Sequence, residues 1–114
     1  MNETTDALAY CSELPHDGTS IIREHRGQPI FLIRFDQSYY AYLNRCPHRG
    51  LPLDWGDARF FDEDRELLQC ASHGALFEPK SGLCVAGPCV GAALENIPVR
   101  VAENSIYIHV AESP

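Results

Sequence analysis

Cys46 and His48 stand one residue apart in the run Cys46-Pro47-His48-Arg49-Gly50, and Cys70 and His73 stand two residues apart in Cys70-Ala71-Ser72-His73-Gly74. Each run offers one thiolate and one imidazole. Neither is long enough to wrap a metal by itself. Together they form a ligand set for a [2Fe–2S] cluster, with two cysteines on one iron and two histidines on the other. In that division Cys46 and Cys70 take the inner iron, and His48 and His73 take the outer one through one ring nitrogen each. Neutral imidazoles in place of two thiolates raise the reduction potential above that of an all-cysteine centre. The second N–H of each ring points outward, with a protonation that depends on iron charge. A centre of this kind moves single electrons. Spacing alone also permits tetrahedral zinc held by the same two Cys and two His, although C-x-H is unusual for a zinc knuckle.

The elements that must hold these runs read as short strands. Pro29–Phe35 is β-branched and aromatic, Asp36-Gln37-Ser38 supplies a turn, and Tyr39–Asn44 returns directly into Cys46. A ligand at a strand end is better fixed than one on a free loop. Leu8–Leu14 reads as a first strand, ended by Pro15-His16-Asp17-Gly18, and Thr19–Ile22 as a weaker one. Arg26-Gly27-Gln28 is a turn. From Cys46 to Gly56 the chain is a loop, followed by a short strand at Arg59-Phe60-Phe61 and a charged turn at 62–66. Ala75–Phe77 and Leu83–Val85 form a hairpin around Glu78–Gly82. Near the end Ile97–Val101 alternates, Asn104 turns, and Ile106, Ile108 and Val110 share a face opposite Tyr107 and His109. No helix is expected beyond one turn at Val90–Glu95.

The 114 residues suit one domain with a modest core. Nine basic against sixteen acidic side chains give a net charge of −7. That excludes a basic groove for nucleic acid and favours a redox partner with a basic docking face. No basic-then-apolar leader opens the chain and no stretch is long enough to span a membrane. The expectation is therefore a cytoplasmic protein with no membrane partner. The odd count of five Cys suits free thiols and metal ligands better than a disulfide framework.

The paired clamps, with Gly74-Ala75-Leu76-Phe77, Ser81-Gly82 and Gly87-Pro88, resemble a Rieske [2Fe–2S] protein over essentially the whole chain. The resemblance implies an all-β fold, an antiparallel β-sandwich or barrel with a small inserted cluster-binding subdomain. The single domain would be 1–114 and the subdomain about 45–88. It makes Cys46, His48, Cys70 and His73 the ligands of one [2Fe–2S] cluster. It also makes the Gly87-Pro88 element a third loop beside the cluster, with Pro88 shielding it. High-potential respiratory members carry one extra Cys in each cluster loop, joined as a disulfide, and this chain has neither. Those members also use a Ser and a Tyr hydroxyl as donors to sulfur. Ala75 and Phe77 stand here instead, so a low-potential, ferredoxin-type centre is expected.

That implies a soluble ferredoxin passing electrons from a flavin reductase to a terminal oxygenase, an electron-transfer component rather than a complete enzyme. The larger family members add a 2-His-1-carboxylate iron domain, for which 114 residues leave no room. Two other readings stay open: a small subunit of a nitrite-reductase-like complex, and a zinc-stabilised, non-redox interaction module.

Several side chains admit more than one role. Cys84 and Cys89 read as buried small hydrophobes; a disulfide, or a second metal site with Cys11, is the alternative. Trp55, Phe60 and Phe61 either form a partner patch or fill the core of an enlarged loop, since 21 residues separate the clamps. Leu51 and Leu53 suit an apolar rim, and Arg49 either steers a carboxylate-bearing partner or is solvated. His16, His25 and His109 read as surface residues, and Asp62-Glu63-Asp64 as a solvated turn.

Overall fold

The computed structural model describes residues 7–47, 50–54, 56–72 and 74–109. His48, Arg49, Trp55, His73 and Val110, which carried expectations above, lie outside them. The described chain folds into three antiparallel three-stranded sheets, the all-β architecture expected.

The central sheet is formed by β2 (Ser20–His25), β3 (Gln28–Phe35) and β4 (Ser38–Leu43) in that order. Its two hairpins turn on two residues each, Arg26-Gly27 with φ of 54° and 77° and Asp36-Gln37 with φ of 52° and 64°. Left-handed backbone at both turn positions matches the right-handed twist of the flanking strands. The Ser20–His25 strand is longer than Thr19–Ile22 suggested. Its charged residues Arg23 and Glu24 hide a strand signal, yet all six positions pair with β3.

The base sheet has the order β1 (Ala9–Tyr10), β9 (Ser105–Ile108), β8 (Val99–Ala102). The strand expected over Leu8–Leu14 is cut to Ala9–Tyr10, because the chain then enters a 3-10 turn at Cys11–Glu13, closed by the Leu14 N–H donating to the Cys11 carbonyl (3.0 Å). Glu103-Asn104 turns the last hairpin. The third sheet, β5 (Leu68–Gln69), β6 (Leu76–Phe77) and β7 (Cys84–Ala86), lies in the chain between β4 and β8. Arg59-Phe60-Phe61 forms no strand; a single bridge joins Phe61 to Leu68. Residues 90–95 form no helix and contribute a bridge from Ala93 to Leu83.

The hairpin of β3 and β4 is a wall shared by two cores. Successive strand side chains point to opposite faces. Ile30, Leu32, Ala41 and Leu43 therefore face the base sheet, where they pack with Ala9, Leu14 and Ile106. Phe31, Ile33 and Tyr42 face the other way and pack with Leu53, Phe60, Leu68, Phe77, Leu94 and four cysteines, Cys46, Cys70, Cys84 and Cys89. Cys11 packs against the base core, so it does not join Cys84 and Cys89 in a second metal site. At Gly82, φ is +77° and a Cβ would stand 2.8 Å from the Tyr42 ring. The close approach allows the buried Tyr42 hydroxyl to donate to the Pro79 carbonyl (2.6 Å). Burial also pushes the Tyr42 pKa far up, so the hydroxyl stays a donor.

Candidate metal centre

β4 ends at Leu43 and the chain reaches Cys46 within three residues. There the backbone turns back on itself. The Cys46 N–H donates to the Leu51 carbonyl (2.7 Å) and the Gly50 N–H donates to the Cys46 carbonyl (2.7 Å). Around the second cysteine the same closure is repeated. The Cys70 N–H donates to the Ala75 carbonyl (2.8 Å) and the Gly74 N–H to the Cys70 carbonyl (2.9 Å). Each glycine is four residues past its cysteine, with φ of 73° at Gly50 and 71° at Gly74. A left-handed residue is needed to bring that N–H back to the cysteine carbonyl, and glycine supplies it without a Cβ penalty. The two clamps differ in Cys–His spacing but share one backbone frame. Both glycines stand in a Cys-x-x-x-Gly run of the sequence.

Cys46 and Cys70 are 2% and 1% exposed and belong to one core. Two thiolates in one apolar core would be poorly solvated. A bound cationic iron would offset that cost, and this donor set fits an inner iron held by cysteine.

A buried polar strut connects the clamps. Asn44 Oδ1 accepts from the Leu53 N–H (2.8 Å), and the Leu53 carbonyl accepts from the Ala71 N–H (2.7 Å), one residue past Cys70. Asn44 Nδ2 donates to Asp54 Oδ1 (3.0 Å), while Asp54 Oδ2 accepts from the N–H groups of Gly56 (3.1 Å) and Ala58 (3.0 Å). Leu53 is fully buried, which corrects its expected place on an apolar rim: its backbone serves as the strut and its side chain fills the core. Leu51, at 45% exposed, remains on the surface. Sequence inspection missed Asn44 and Asp54, because only the fold shows that they share partners around Leu53. Asp54→Ala is expected to destabilise the protein by about 1–3 kcal/mol, the cost of leaving the buried Asn44 amide without its acceptor. Urea unfolding of parent and variant measures this, and Asp54→Asn, which keeps an acceptor, is expected to lose less.

The third loop packs on the second clamp. At Gly87 (φ +101°) a Cβ would stand 2.8 Å from Ala75 Cα, so backbone lies directly on backbone. Beyond it Cys89 is 8% exposed, and its Sγ lies 3.2 Å from that of Cys84. Both read correctly as buried small side chains, and neither is in a disulfide. Burial, followed by the bond to Cys84, pushes the Cys89 thiol up to about 12. Pro88, expected as a shield, is exposed on this loop.

Phe60 is fully buried and stacks on Phe31 with centroids 4.0 Å apart and planes at 7°. Phe61 is half-buried and stacks on Phe35 at 6.3 Å. The long interval between clamps thus feeds the core. Asp62 Oδ1 accepts from the N–H groups of Glu66 (3.1 Å) and Leu67 (3.3 Å), so the acidic run is a self-capped turn with Glu63 and Asp64 exposed. His16 and His109 are exposed and His25 is half-buried.

Two matching turns that each bury a cysteine, beside a Gly-Pro loop and above an all-β base, define an iron–sulfur electron-transfer domain. The family model for the Rieske [2Fe–2S] domain matches residues 5–103, and the chain belongs to that family. Membership assigns one [2Fe–2S] cluster to the chain and decides against zinc. The carnitine monooxygenase oxygenase subunit of Escherichia coli K12 is 28% identical over 94% of this chain and 29% of its own length. The oxygenase component of chloroacetanilide N-alkylformylase from Rhizorhabdus wittichii is 40% identical over 72% of this chain and 22% of its own length. The chain therefore spans less than a third of these curated relatives. Among solved structures, the ferredoxin of carbazole 1,9a-dioxygenase from Nocardioides aromaticivorans IC177 superposes with a TM-score of 0.74 at 25% identity, covering 93% of this chain and 97% of that one.

Proposed function

We propose that this chain is a ferredoxin-type carrier of single electrons to an oxygenase. The observation that carries the reading is the pair of equivalent turns burying Cys46 and Cys70 in one core. In this reading Cys46 and Cys70 supply the thiolates, and His48 and His73 supply the imidazole nitrogens, within a cluster-binding subdomain over about 45–88. When bound, the [2Fe–2S] cluster supplies a reversible one-electron redox change. The chain's own residues exclude water from the thiolates, fix the clamps against each other through Leu53, and present a docking rim.

Leu51 and Val90, 45% and 63% exposed, flank the clamp and the third loop as apolar surface. The net charge of −7 would speed encounter with a basic partner more than it tightens the complex. Ala75 and Phe77 are fully buried and offer no hydroxyl to sulfur. The potential is accordingly expected to be negative, near the lower end of the roughly −150 to +300 mV that Rieske centres span.

The likeness to the ferredoxin of carbazole 1,9a-dioxygenase supports a separate carrier. A second reading, a Rieske domain feeding an iron site within one larger oxygenase assembly, is favoured by the curated relatives being oxygenase components. Anaerobic reconstitution separates them. A carrier is bleached by a flavin reductase with NADH and recolours on adding a separately purified terminal oxygenase. A stable complex with the oxygenase throughout turnover would favour the second reading. A colourless zinc protein, or a positive potential at neutral pH, would overturn the low-potential carrier.

A further inference from the structure

The interval between the clamps does more than fill the core. The segment 57–65 and the chain leading into β2 enclose a cleft of about 490 Å3. That volume suits a ring-sized molecule. Two ties hold its walls together. Ser20 Oγ donates to the Ala58 carbonyl (2.8 Å). Gly18 has φ of +90°, and a Cβ there would stand 2.7 Å from Arg65 Cδ, so the Arg65 stem lies against bare glycine backbone. Arg59 and Arg65 both line the cleft and both are exposed. Neither guanidinium makes an ion pair or a hydrogen bond among the described residues, although Asp57, Asp62 and Glu63 line the same cleft. Two of those acids are turned onto backbone instead. Asp57 Oδ1 accepts from the Arg59 N–H (3.2 Å), and Asp62 Oδ1 accepts from the N–H groups of Glu66 and Leu67.

Arg65 stands at φ +60° in a turn closed by its own N–H donating to the Asp62 carbonyl (3.0 Å). Left-handed backbone is strained for arginine and free of that strain for glycine. The turn by itself therefore favours glycine, and the arginine side chain contributes something other than the turn. The rest of the cleft wall includes Ala58, Ala71 and the half-buried Phe61. We propose that the cleft binds a small organic carboxylate with an apolar body, its carboxylate held by Arg59 and Arg65 and its body laid on Phe61 and Ala71. A guanidinium presents paired N–H donors at the spacing of a carboxylate's two oxygens. The neighbouring acids make a bare anion a poor occupant, and an apolar body supplies the contact area that offsets them. This site goes beyond electron transfer and does not depend on which residues hold the cluster.

Benzoate is the probe, titrated by calorimetry into the full chain with its cluster loaded. Its dissociation constant is expected on the order of 1 mM. Acetate and inorganic phosphate, which lack the ring, should bind at least about tenfold more weakly. Benzylamine, with a similar ring and the opposite charge, should give no detectable heat. Arg59→Ala and Arg65→Gly are each expected to weaken benzoate about tenfold, the loss of one charge-assisted contact. Arg65→Lys, which keeps the charge without the fork, should recover part of that affinity. Arg65→Gly also relieves its own backbone, so its urea midpoint should match the parent's. Phosphate or acetate binding as tightly as benzoate would reveal a general anion patch and overturn the assignment. So would benzylamine binding equally well, or parent-like benzoate affinity in both arginine variants. If Arg65→Gly unfolds more readily than the parent, Arg59→Ala decides: unchanged benzoate affinity there refutes the site, and the tenfold loss supports it.

Discussion

Cys70→Ala is expected to purify colourless, with iron and labile sulfide near zero against about two of each per chain in the parent, the content of one [2Fe–2S] cluster. Cys84→Ala is the matched control. The two side chains are 1% and 2% exposed and sit in the same core, so packing alone predicts nearly equal effects. Losing one buried sulfur atom costs on the order of 1 kcal/mol in transfer and cavity terms. Ligation predicts a much wider split, because metal affinity is folding free energy for the loops that hold the metal. Cys84→Ala should keep its colour and a near-parent melting temperature. Cys70→Ala should lose its colour, and its clamp should become open to protease. His48→Ala and His73→Ala are expected to follow Cys70→Ala. Equal iron content in the two cysteine variants would mean that Cys70 is a packing residue and no ligand.

The two cysteine-bearing turns and the hairpin that delivers the first of them were legible in the sequence, because both are local. Residues 29–44 read as two β-branched and aromatic runs joined by a turn, and the strands pair across Asp36-Gln37. The frame that makes the two clamps equivalent is also local, set by the positive φ at Gly50 and Gly74. What stayed hidden depends on contacts between distant segments. Leu53 looks like one more apolar residue after a histidine until Asn44 and Ala71 take its N–H and carbonyl. The Cys11–Glu13 turn interrupts an apolar run that periodicity alone extends. β2 is a full strand because β3 pairs with it at every position, a tertiary effect that outweighs its weak propensity. Phe60 carried two possible roles, and only the position of Phe31 chooses between them.

Phe60→Ala is expected to destabilise the loaded protein by about 3–5 kcal/mol, the usual cost of emptying a buried aromatic site. The stack with Phe31 contributes about 0.5–1.5 kcal/mol beyond burial. Against total stabilities of about 5–15 kcal/mol for native proteins, that is a large fraction. The cavity would open in the core that also contains Cys46 and Cys70, so the loss should reach the metal centre. Bound cofactors break two-state behaviour. The useful measurement is therefore the urea concentration at which visible absorbance is half lost, together with the rate of iron release to a chelator. Phe60→Ala should lower the first and raise the second, while Phe61→Ala, truncating a half-buried ring, should do so less. Leu51→Ala supplies the opposite case. Its side chain is 45% exposed, so its loss should leave the urea midpoint within about 0.5 kcal/mol of the parent. It should instead slow electron transfer to the oxygenase partner proposed above. If Phe60→Ala behaved like Leu51→Ala, the segment between the clamps would be a docking surface, and its burial against Phe31 would be wrong.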